Sequence, residues 1–275
     1  MLPNCYLSVT AELMGMTRGL LVLLVMVATL ARGGSGDIWN TASSDNARIV
    51  DERINKMLER LSHKAYDSDR DHLFSIFKKT QKEFLHRYTQ YSSMDQLATG
   101  DFDCLTATSL FAEILERSGF RYRIMETNYH IFLLVETSGG EVLIETTDRF
   151  EGFVESPDEI ARAIKDYRTE VPTESNSKKC YQYGFEMYNE ISPRQLSGLL
   201  YFNQAVKAYN DGAWLLCSEK IVLAENHYNS PRVATLASLL VCAISVNEIP
   251  SADKHKVIEN LKQIERVSGQ PVASR

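Results

Sequence analysis

The spacing of apolar residues predicts three amphipathic helices in the first half of the chain. Apolar side chains recur three and four positions apart over 41–63, 71–88 and 104–118, with charged residues between them. The second stripe is formed by Leu73, Phe77, Phe84 and Tyr88. Gly119 follows the third stretch directly, and glycine commonly ends a helix. We therefore expect the third helix to end at residue 118.

After Gly119 the pattern changes to short apolar runs, which predicts strands. The runs 131–135 and 142–144 flank Thr137-Ser138-Gly139-Gly140, a sequence typical of a hairpin turn. If all four residues form the loop, Glu136 pairs with Glu141. A two-residue Gly-Gly loop is the alternative, and it shifts the pairing while keeping each side chain on the same face.

The last third of the chain has helical patterns throughout. Four helices are expected, over 194–210, 213–227, 231–247 and 252–267. The first two resemble one degenerate tetratricopeptide-like hairpin, and a plain helical bundle is the alternative. A polar run, 173–179, separates this region from the preceding part, and aromatic residues at even spacing up to Tyr188 indicate an edge strand or a packing surface.

The N-terminus predicts a targeting segment. An apolar run from Gly19 to Leu30 follows Arg18, and it is shorter than the about 20 residues of a membrane span. We therefore expect a signal peptide and export to the periplasm or medium; an uncleaved membrane anchor is the alternative. The resulting division is a signal peptide (1–36), a core with N-terminal covering helices (37–172), a linker or edge segment (173–192) and a helical region (193–275).

Composition excludes some classes of function. The 275 residues carry a net charge of −6 with no block of Lys or Arg, so we expect no nucleic-acid partner. The sequence has no Gly-rich phosphate loop and no clustered Cys/His set, so neither a cofactor nor a metal is expected. Cys217 and Cys242 fall on neighbouring helices; a disulfide is possible in an exported protein, but we favour buried free thiols.

Three residues between Gly100 and Asp148 suggest a thiol nucleophile site. Cys104 begins a predicted helix, where unpaired N–H groups favour a thiolate and can hold an oxyanion, although the nearby Asp101 and Asp103 oppose the thiolate. His130 precedes one apolar strand as a candidate base, and Glu145 follows the next. With an even-length loop Glu145 shares a face with His130, whereas Asp148 lies on the other face.

These residues resemble the transglutaminase-like core of the papain-like cysteine enzymes. That core has a Gly-Asp-Cys opening a helix, a His at the head of an apolar strand and a closing Asp-Pro-Thr. Here the chain has Gly100-Asp-Phe-Asp-Cys104 and Glu145-Thr146-Thr147 in those places. The resemblance implies an α+β papain-like fold with Cys104 as nucleophile, His130 as base and Glu145 as the orienting acid. Gln96 is the nearest candidate for the family's upstream oxyanion donor.

Two functions from different classes follow from this resemblance. The first is amide acyl transfer through a thiol, with hydrolysis favoured over cross-linking because water is always present. The second is a catalytically inactive scaffold that binds a peptide in the same groove or on the C-terminal helices, because one fold can host both. Either function implies a protein or peptide partner.

We predict that the mature protein begins between about Arg32 and Asp37, because small residues follow the Arg18-led apolar run. N-terminal sequencing of the protein recovered outside the cytoplasm measures this directly. Intact chains that begin at Met1 or Met16 and stay in the soluble cytoplasm would contradict export.

Overall fold

The computed structural model describes residue 39 and residues 41–169 and 186–268, with side chains through residue 264. The predicted signal peptide and most of the predicted linker therefore lie outside the described residues. In the ranges that are described, no helix combines the length and the apolar character needed to cross a membrane.

Two helices come before the core, and the second is shorter than its apolar pattern predicted. Helix α1 spans Ser44–Ser62 and α2 spans Asp69–Glu83. The expected helix over 71–88 was wrong at its end, because residues Arg87–Tyr88 form strand β1. This strand pairs in parallel with β2, Asp101–Phe102, and the Thr89 N–H donates to the Phe102 carbonyl at 2.7 Å. Backbone pairing with a distant segment overrides the local helical pattern.

A helix and an antiparallel sheet of five strands form the core. Helix α3 spans Cys104–Arg117, as predicted to within one residue. The strands are β3 (Tyr122–Thr127), β4 (Ile131–Thr137), β5 (Gly140–Ile144), β6 (Phe153–Val154) and β7 (Tyr188–Ile191), in the spatial order β6-β5-β4-β3-β7. Strand β7 lies at the sheet edge, which agrees with the edge strand indicated for this segment.

The β4–β5 hairpin has the predicted register. Glu136 pairs with Glu141, and the strands extend to the pair Thr137–Gly140, so that only Ser138 and Gly139 form the loop. The last pair of the ladder is Leu133 with Ile144, so the pairing ends before it reaches residues 130 and 147.

Helices cover both faces of the sheet. The side chains of Leu133, Val135 and Ile144 belong to the large cluster that also contains α3, α1 and α2. The alternate positions Phe132 and Leu134 pack against helix α4, Pro157–Thr169. Because helices cover both faces of the sheet, every β4 side chain from Ile131 to Val135 is buried, and this part of the strand is apolar at each position instead of alternating with polar residues.

The C-terminal region is helical, and each predicted helix is confirmed to within one residue at both ends. Its helices are α5 (Pro193–Asn210), α6 (Trp214–His227), α7 (Pro231–Val246) and α8 (Ser251–Ser268). Helices α5 and α6 pack against each other across a turn in which Gly212 has a φ of 72°. The described part of the chain is thus α+β with a helical C-terminal part. The tetratricopeptide resemblance stays a prediction.

Buried polar contacts join the sheet to these helices. Glu126 of β3 is 1% exposed, and its Oε2 accepts a hydrogen bond from the Tyr228 hydroxyl at 2.6 Å. Arg232 of α7 lies 3.4 Å from the Glu126 Oε1 and also donates to the Thr127 carbonyl. A buried carboxylate is tolerated only when nearby charges and hydrogen-bond donors compensate for the lost water. Helix α7 supplies such a charge through Arg232.

We predict that Arg232→Met lowers the free energy of unfolding by about 3 kcal/mol, because it leaves the Glu126 carboxylate buried without its cation. Burial raises the pKa of Glu126, so the loss should shrink as the pH falls and the carboxyl takes up a proton. Urea unfolding at pH 7.5 and pH 5 measures both effects.

The matched control is Arg162→Met, which removes an arginine that is largely exposed and should change stability by less than about 0.5 kcal/mol. The double variant Glu126→Gln, Arg232→Met should recover much of the loss. Equal stability of Arg232→Met and wild type at pH 7.5 would show that the ion pair does not hold the helices to the sheet.

Candidate active site

Asp103 fixes Cys104 as the first residue of helix α3. The Asp103 Oδ1 accepts hydrogen bonds from the Thr106 N–H at 2.9 Å and the Thr106 hydroxyl at 3.0 Å. The Asp103 N–H in turn donates to the Thr106 hydroxyl oxygen at 2.8 Å, which completes a capping box. The Asp103 Oδ2 accepts from the Asn203 amide of α5 at 3.1 Å. The half-buried Cys104 therefore lies at a firmly capped N-terminus.

The surroundings of Cys104 favour the neutral thiol. Burial, followed by the charges of Asp103 and Glu145, raises the pKa of the Cys104 thiol to about 12. The N–H groups of Leu105 and Cys104 act in the opposite direction but do not outweigh these causes. The effect of Asp103 agrees with the expectation from the sequence, whereas the second acidic neighbour of Cys104, Asp101, forms an ion pair with Arg87 at 2.6 Å.

Glu145 lies directly after β5, at a bend that its own side chain stabilises. Its N–H donates to the Gly152 carbonyl at 2.8 Å, and its Oε1 accepts from the Thr147 N–H at 3.1 Å and the Thr147 hydroxyl at 2.8 Å. A Cβ at Gly152 would collide with the carbonyl oxygens of Glu145 and Asp148, so this loop requires glycine. The buried Oε2 of Glu145 has no hydrogen-bond partner among the described residues.

The residue after Glu145 ties this bend to two helices. Thr146 is fully buried; its carbonyl accepts from the Gln81 amide of α2 at 2.8 Å. Its hydroxyl lies 3.1 Å from the hydroxyl of Thr108, one helical turn beyond Cys104. These contacts hold Glu145 near the start of α3. Sequence reasoning missed them, because neither threonine nor glutamine stands out chemically in a helical stripe.

His130 ends the tight turn between β3 and β4. The Thr127 N–H donates to the His130 carbonyl at 2.9 Å, and the His130 N–H donates to the Thr127 hydroxyl oxygen at 3.0 Å. Strand β4 begins one residue later, at Ile131. The imidazole ring stacks on Tyr167 of α4 with centroids 4.4 Å apart and an interplanar angle of 27°. The stack limits the ring orientations available to His130.

Glu145 is the group through which the three predicted site residues interact. Burial raises the pKa of the Glu145 carboxyl, whereas the hydrogen bonds from Thr147 and the charge of His130 lower it. The same carboxylate contributes to the raised pKa of Cys104. Asp148 instead caps its own loop, because its Oδ1 accepts from the Phe150 N–H at 2.8 Å and the Glu151 N–H at 2.9 Å. The preference for Glu145 over Asp148 agrees with this arrangement; the catalytic roles stay predictions.

Gln96 has a structural role at the start of a short 3-10 helix, Met94–Ala98. Its side-chain oxygen accepts hydrogen bonds from the Ser93 N–H at 2.9 Å and the Ser92 hydroxyl at 3.3 Å. These contacts give Gln96 a structural reason to be present that does not involve Cys104. Its role as an oxyanion donor therefore gains no support.

Tyr88 lies beside the site, and sequence reasoning missed it. Its ring contacts Phe102 edge-to-face with centroids 5.8 Å apart, and Phe102 lies two residues before Cys104. Partial burial, together with the charges of Cys104, Asp103 and Glu145, raises the pKa of the Tyr88 phenol to about 12. In the sequence Tyr88 falls on the apolar stripe of the helix predicted over 71–88, so its spacing did not indicate that it lies near Cys104.

The described residues also include further free thiols and side chains of the kinds that bind metal ions. In the described ranges, no group of three His, Cys, Asp or Glu side chains is arranged to hold a metal ion. Cys217 and Cys242 are unbonded; the first is buried as expected, whereas the second is exposed. Comparison of the chain with protein-family models, curated proteins and solved structures found no match.

We predict that alkylation of Cys104 by iodoacetamide is slow near neutral pH and rises about tenfold per pH unit between pH 8 and pH 10, because the thiolate is the nucleophile. Glu145→Gln should speed alkylation several-fold at pH 10, since it removes a negative charge that raises the thiol pKa. Peptide mass spectrometry follows Cys104 separately from Cys242.

Asp148→Asn is the matched control and should alter the Cys104 rate less than Glu145→Gln does, because the Asp148 carboxylate is engaged with its own loop. A rate plateau at Cys104 near pH 7 would contradict the neutral resting thiol and would indicate a preformed thiolate–imidazolium pair instead.

Proposed function

We propose that this protein is a transglutaminase-like cysteine enzyme that transfers the acyl group of a peptide amide, with water as the usual acceptor. The observation that carries the proposal is the position of Glu145. This half-buried carboxylate has an unpaired oxygen and interacts electrostatically with both Cys104 and His130. Leaving a buried carboxylate oxygen without a hydrogen-bond partner is costly, and titratable groups with shifted pKa values concentrate at functional sites.

Each residue has a defined task in the reaction. His130 removes the Cys104 proton as the sulfur attacks the amide carbonyl, and the S–C bond forms as the carbonyl becomes an oxyanion. The imidazolium then protonates the leaving amine, the C–N bond breaks and a thioester remains. Water, deprotonated by His130, attacks the thioester; the acid leaves and the thiol is restored. Glu145 orients the imidazole and stabilises its charged form.

A neutral resting thiol is compatible with this mechanism. A serine hydroxyl is also neutral before attack and loses its proton to histidine only as the new bond forms. Cys104 must likewise lose its proton to a base during the attack, because its pKa of about 12 leaves almost no thiolate at pH 7. The Glu145 carboxylate disfavours the Cys104 thiolate and stabilises the His130 imidazolium. The thiol therefore depends on His130 to remove its proton.

The order of elements supports the family-level part of the proposal. A helix with Cys104 at its N-terminus is followed by antiparallel strands, and His130 and Glu145 flank the β4–β5 hairpin. This is the order of the transglutaminase-like core, and helix α3 packs on one face of that sheet. The helices α5–α8 and the covering helices α1 and α2 lie outside that resemblance.

A second candidate is an inactive scaffold that binds a peptide. The raised pKa of Cys104 favours it, because a neutral thiol without an effective base is inert. The stack of His130 on Tyr167 also favours it if the ring cannot turn toward the thiol. The two candidates differ in whether acylation of Cys104 depends on His130.

Reaction with p-nitrophenyl acetate tests this dependence. Wild-type protein should release p-nitrophenolate and gain an acetyl group on Cys104, whereas Cys104→Ala should not. His130→Ala should acetylate about 10² times more slowly, because the general base is lost. Stopped-flow absorbance gives the rates, and peptide mass spectrometry locates the acetyl group.

Glu145→Gln makes the test sharper, because two reactions of the same sulfur should change in opposite directions. Acetylation through His130 should slow, while alkylation at pH 10 should become faster. Cys242→Ala is the control and should leave the nitrophenolate release of Cys104 unchanged. Equal acetylation of Cys104 in wild type and His130→Ala would reject the enzyme and favour the scaffold.

A further inference from the structure

Tyr88 is held beside the entrance to helix α3 by backbone pairing. Strand β1 places Tyr88 directly opposite Phe102, and the Thr89 N–H donates to the Phe102 carbonyl. The Tyr88 ring then rests edge-on against the Phe102 ring. Since Phe102 precedes Asp103 and Cys104, this pairing sets the tyrosine next to the nucleophile.

The unusual backbone conformation of Gly100 supports this pairing, and a second one occurs nearby at Tyr91. Gly100 has a φ of 91°, and its carbonyl accepts from the His86 N–H at 2.9 Å and the Arg87 N–H at 3.1 Å. A Cβ at Gly100 would collide with the His86 ring, so only glycine allows this approach. Tyr91 is the one non-glycine residue with a positive φ, 59°, in the described ranges. Such conformations cluster at functional sites because surrounding structure must support their cost.

The Tyr88 hydroxyl is available to a ligand. The residue is 57% exposed, and its hydroxyl has no hydrogen-bond partner among the described residues. Partial burial, and after it the nearby negative groups, raises the pKa of the phenol to about 12, so it stays protonated at neutral pH. An exposed aromatic side chain that offers a hydrogen-bond donor beside a thiol can contact a substrate carbonyl.

The site needs such a donor. Attack by Cys104 places a negative charge on the carbonyl oxygen of the substrate, in a place where Asp103 and Glu145 already contribute negative charge. Donors aimed at a developing oxyanion supply a large part of the rate of acyl transfer. The N–H groups of Cys104 and Leu105 lie at the helix start, but Gln96 is committed elsewhere.

We propose that the Tyr88 hydroxyl donates a hydrogen bond to the oxyanion formed when Cys104 attacks an acyl substrate. The inference rests on the proposed function and adds a catalytic residue to it. The hydroxyl keeps its proton throughout, so Tyr88 takes no part in proton transfer, and the covalent steps given above are unchanged. Its contribution is confined to steps that form or collapse a tetrahedral intermediate.

Tyr88→Phe separates this role from a structural one, because it removes only the hydroxyl of a ring that still packs on Phe102. Acetylation of Cys104 by p-nitrophenyl acetate should slow by about 10²-fold, the usual effect of losing one oxyanion donor. Alkylation of Cys104 by iodoacetamide at pH 10 should stay within about twofold, since displacement at a saturated carbon forms no oxyanion. Tyr209→Phe, in the helical region against Trp214, is the matched control and should change neither rate.

Each outcome decides between the two proposals. Equal acetylation rates in Tyr88→Phe and wild type, with the reaction still dependent on Cys104 and His130, would reject the role of Tyr88 and leave the enzyme intact. A parallel fall in acetylation and alkylation would also overturn it, because Tyr88 would then act on the thiol itself. Absence of Cys104-dependent acetylation in wild type would reject both proposals.

Discussion

The structure around the candidate site depends on one buried carboxylate, that of Asp103. It accepts the hydrogen bonds that start helix α3 and also receives the Asn203 amide from the C-terminal helices. Burial and then the charge of Asp103 raise the pKa of the Cys104 thiol, so the group that positions Cys104 also helps to keep it protonated. Burial raises the pKa of Asp103 itself, and its hydrogen bonds offset part of that rise. At Asp103 the carboxylate that stabilises the start of helix α3 therefore also disfavours the Cys104 thiolate.

At Glu145, by contrast, only one of the two carboxylate oxygens has a structural role. The contacts of Thr146 with Gln81 and Thr108 fix the bend, and Gly152 allows the chain to close around it. The Glu145 Oε1 accepts from the Thr147 N–H and hydroxyl, whereas its buried Oε2 has no hydrogen-bond partner among the described residues. The unpaired oxygen, and not the carboxylate as a whole, is therefore the feature that the structural contacts leave unexplained.

The C-terminal helices contribute to the site from a distance. Asn203 contacts the helix cap before Cys104, while Arg232 and Tyr228 hold Glu126 at the end of β3. Arg232 also binds the Thr127 carbonyl, which belongs to the turn that carries His130. The helical region thus touches the structures that position two of the three candidate residues. Its packing and the geometry of the site are coupled through these few polar groups.

The sequence alone predicted most helix boundaries to within one residue, because these depend on local periodicity, and turn chemistry limited the β4–β5 hairpin to two registers. Helix α3 could be predicted from apolar spacing and Gly119, whereas the structure selected the pair Glu136–Glu141 over the Gly-Gly alternative. Tertiary structure alone decided that Tyr88 belongs to a strand close to Cys104 and that burial, more than the neighbouring charge of Asp103, raises the pKa of the Cys104 thiol. Both depend on which distant groups are brought together and removed from water, and the sequence pattern of a single segment carries no information on that.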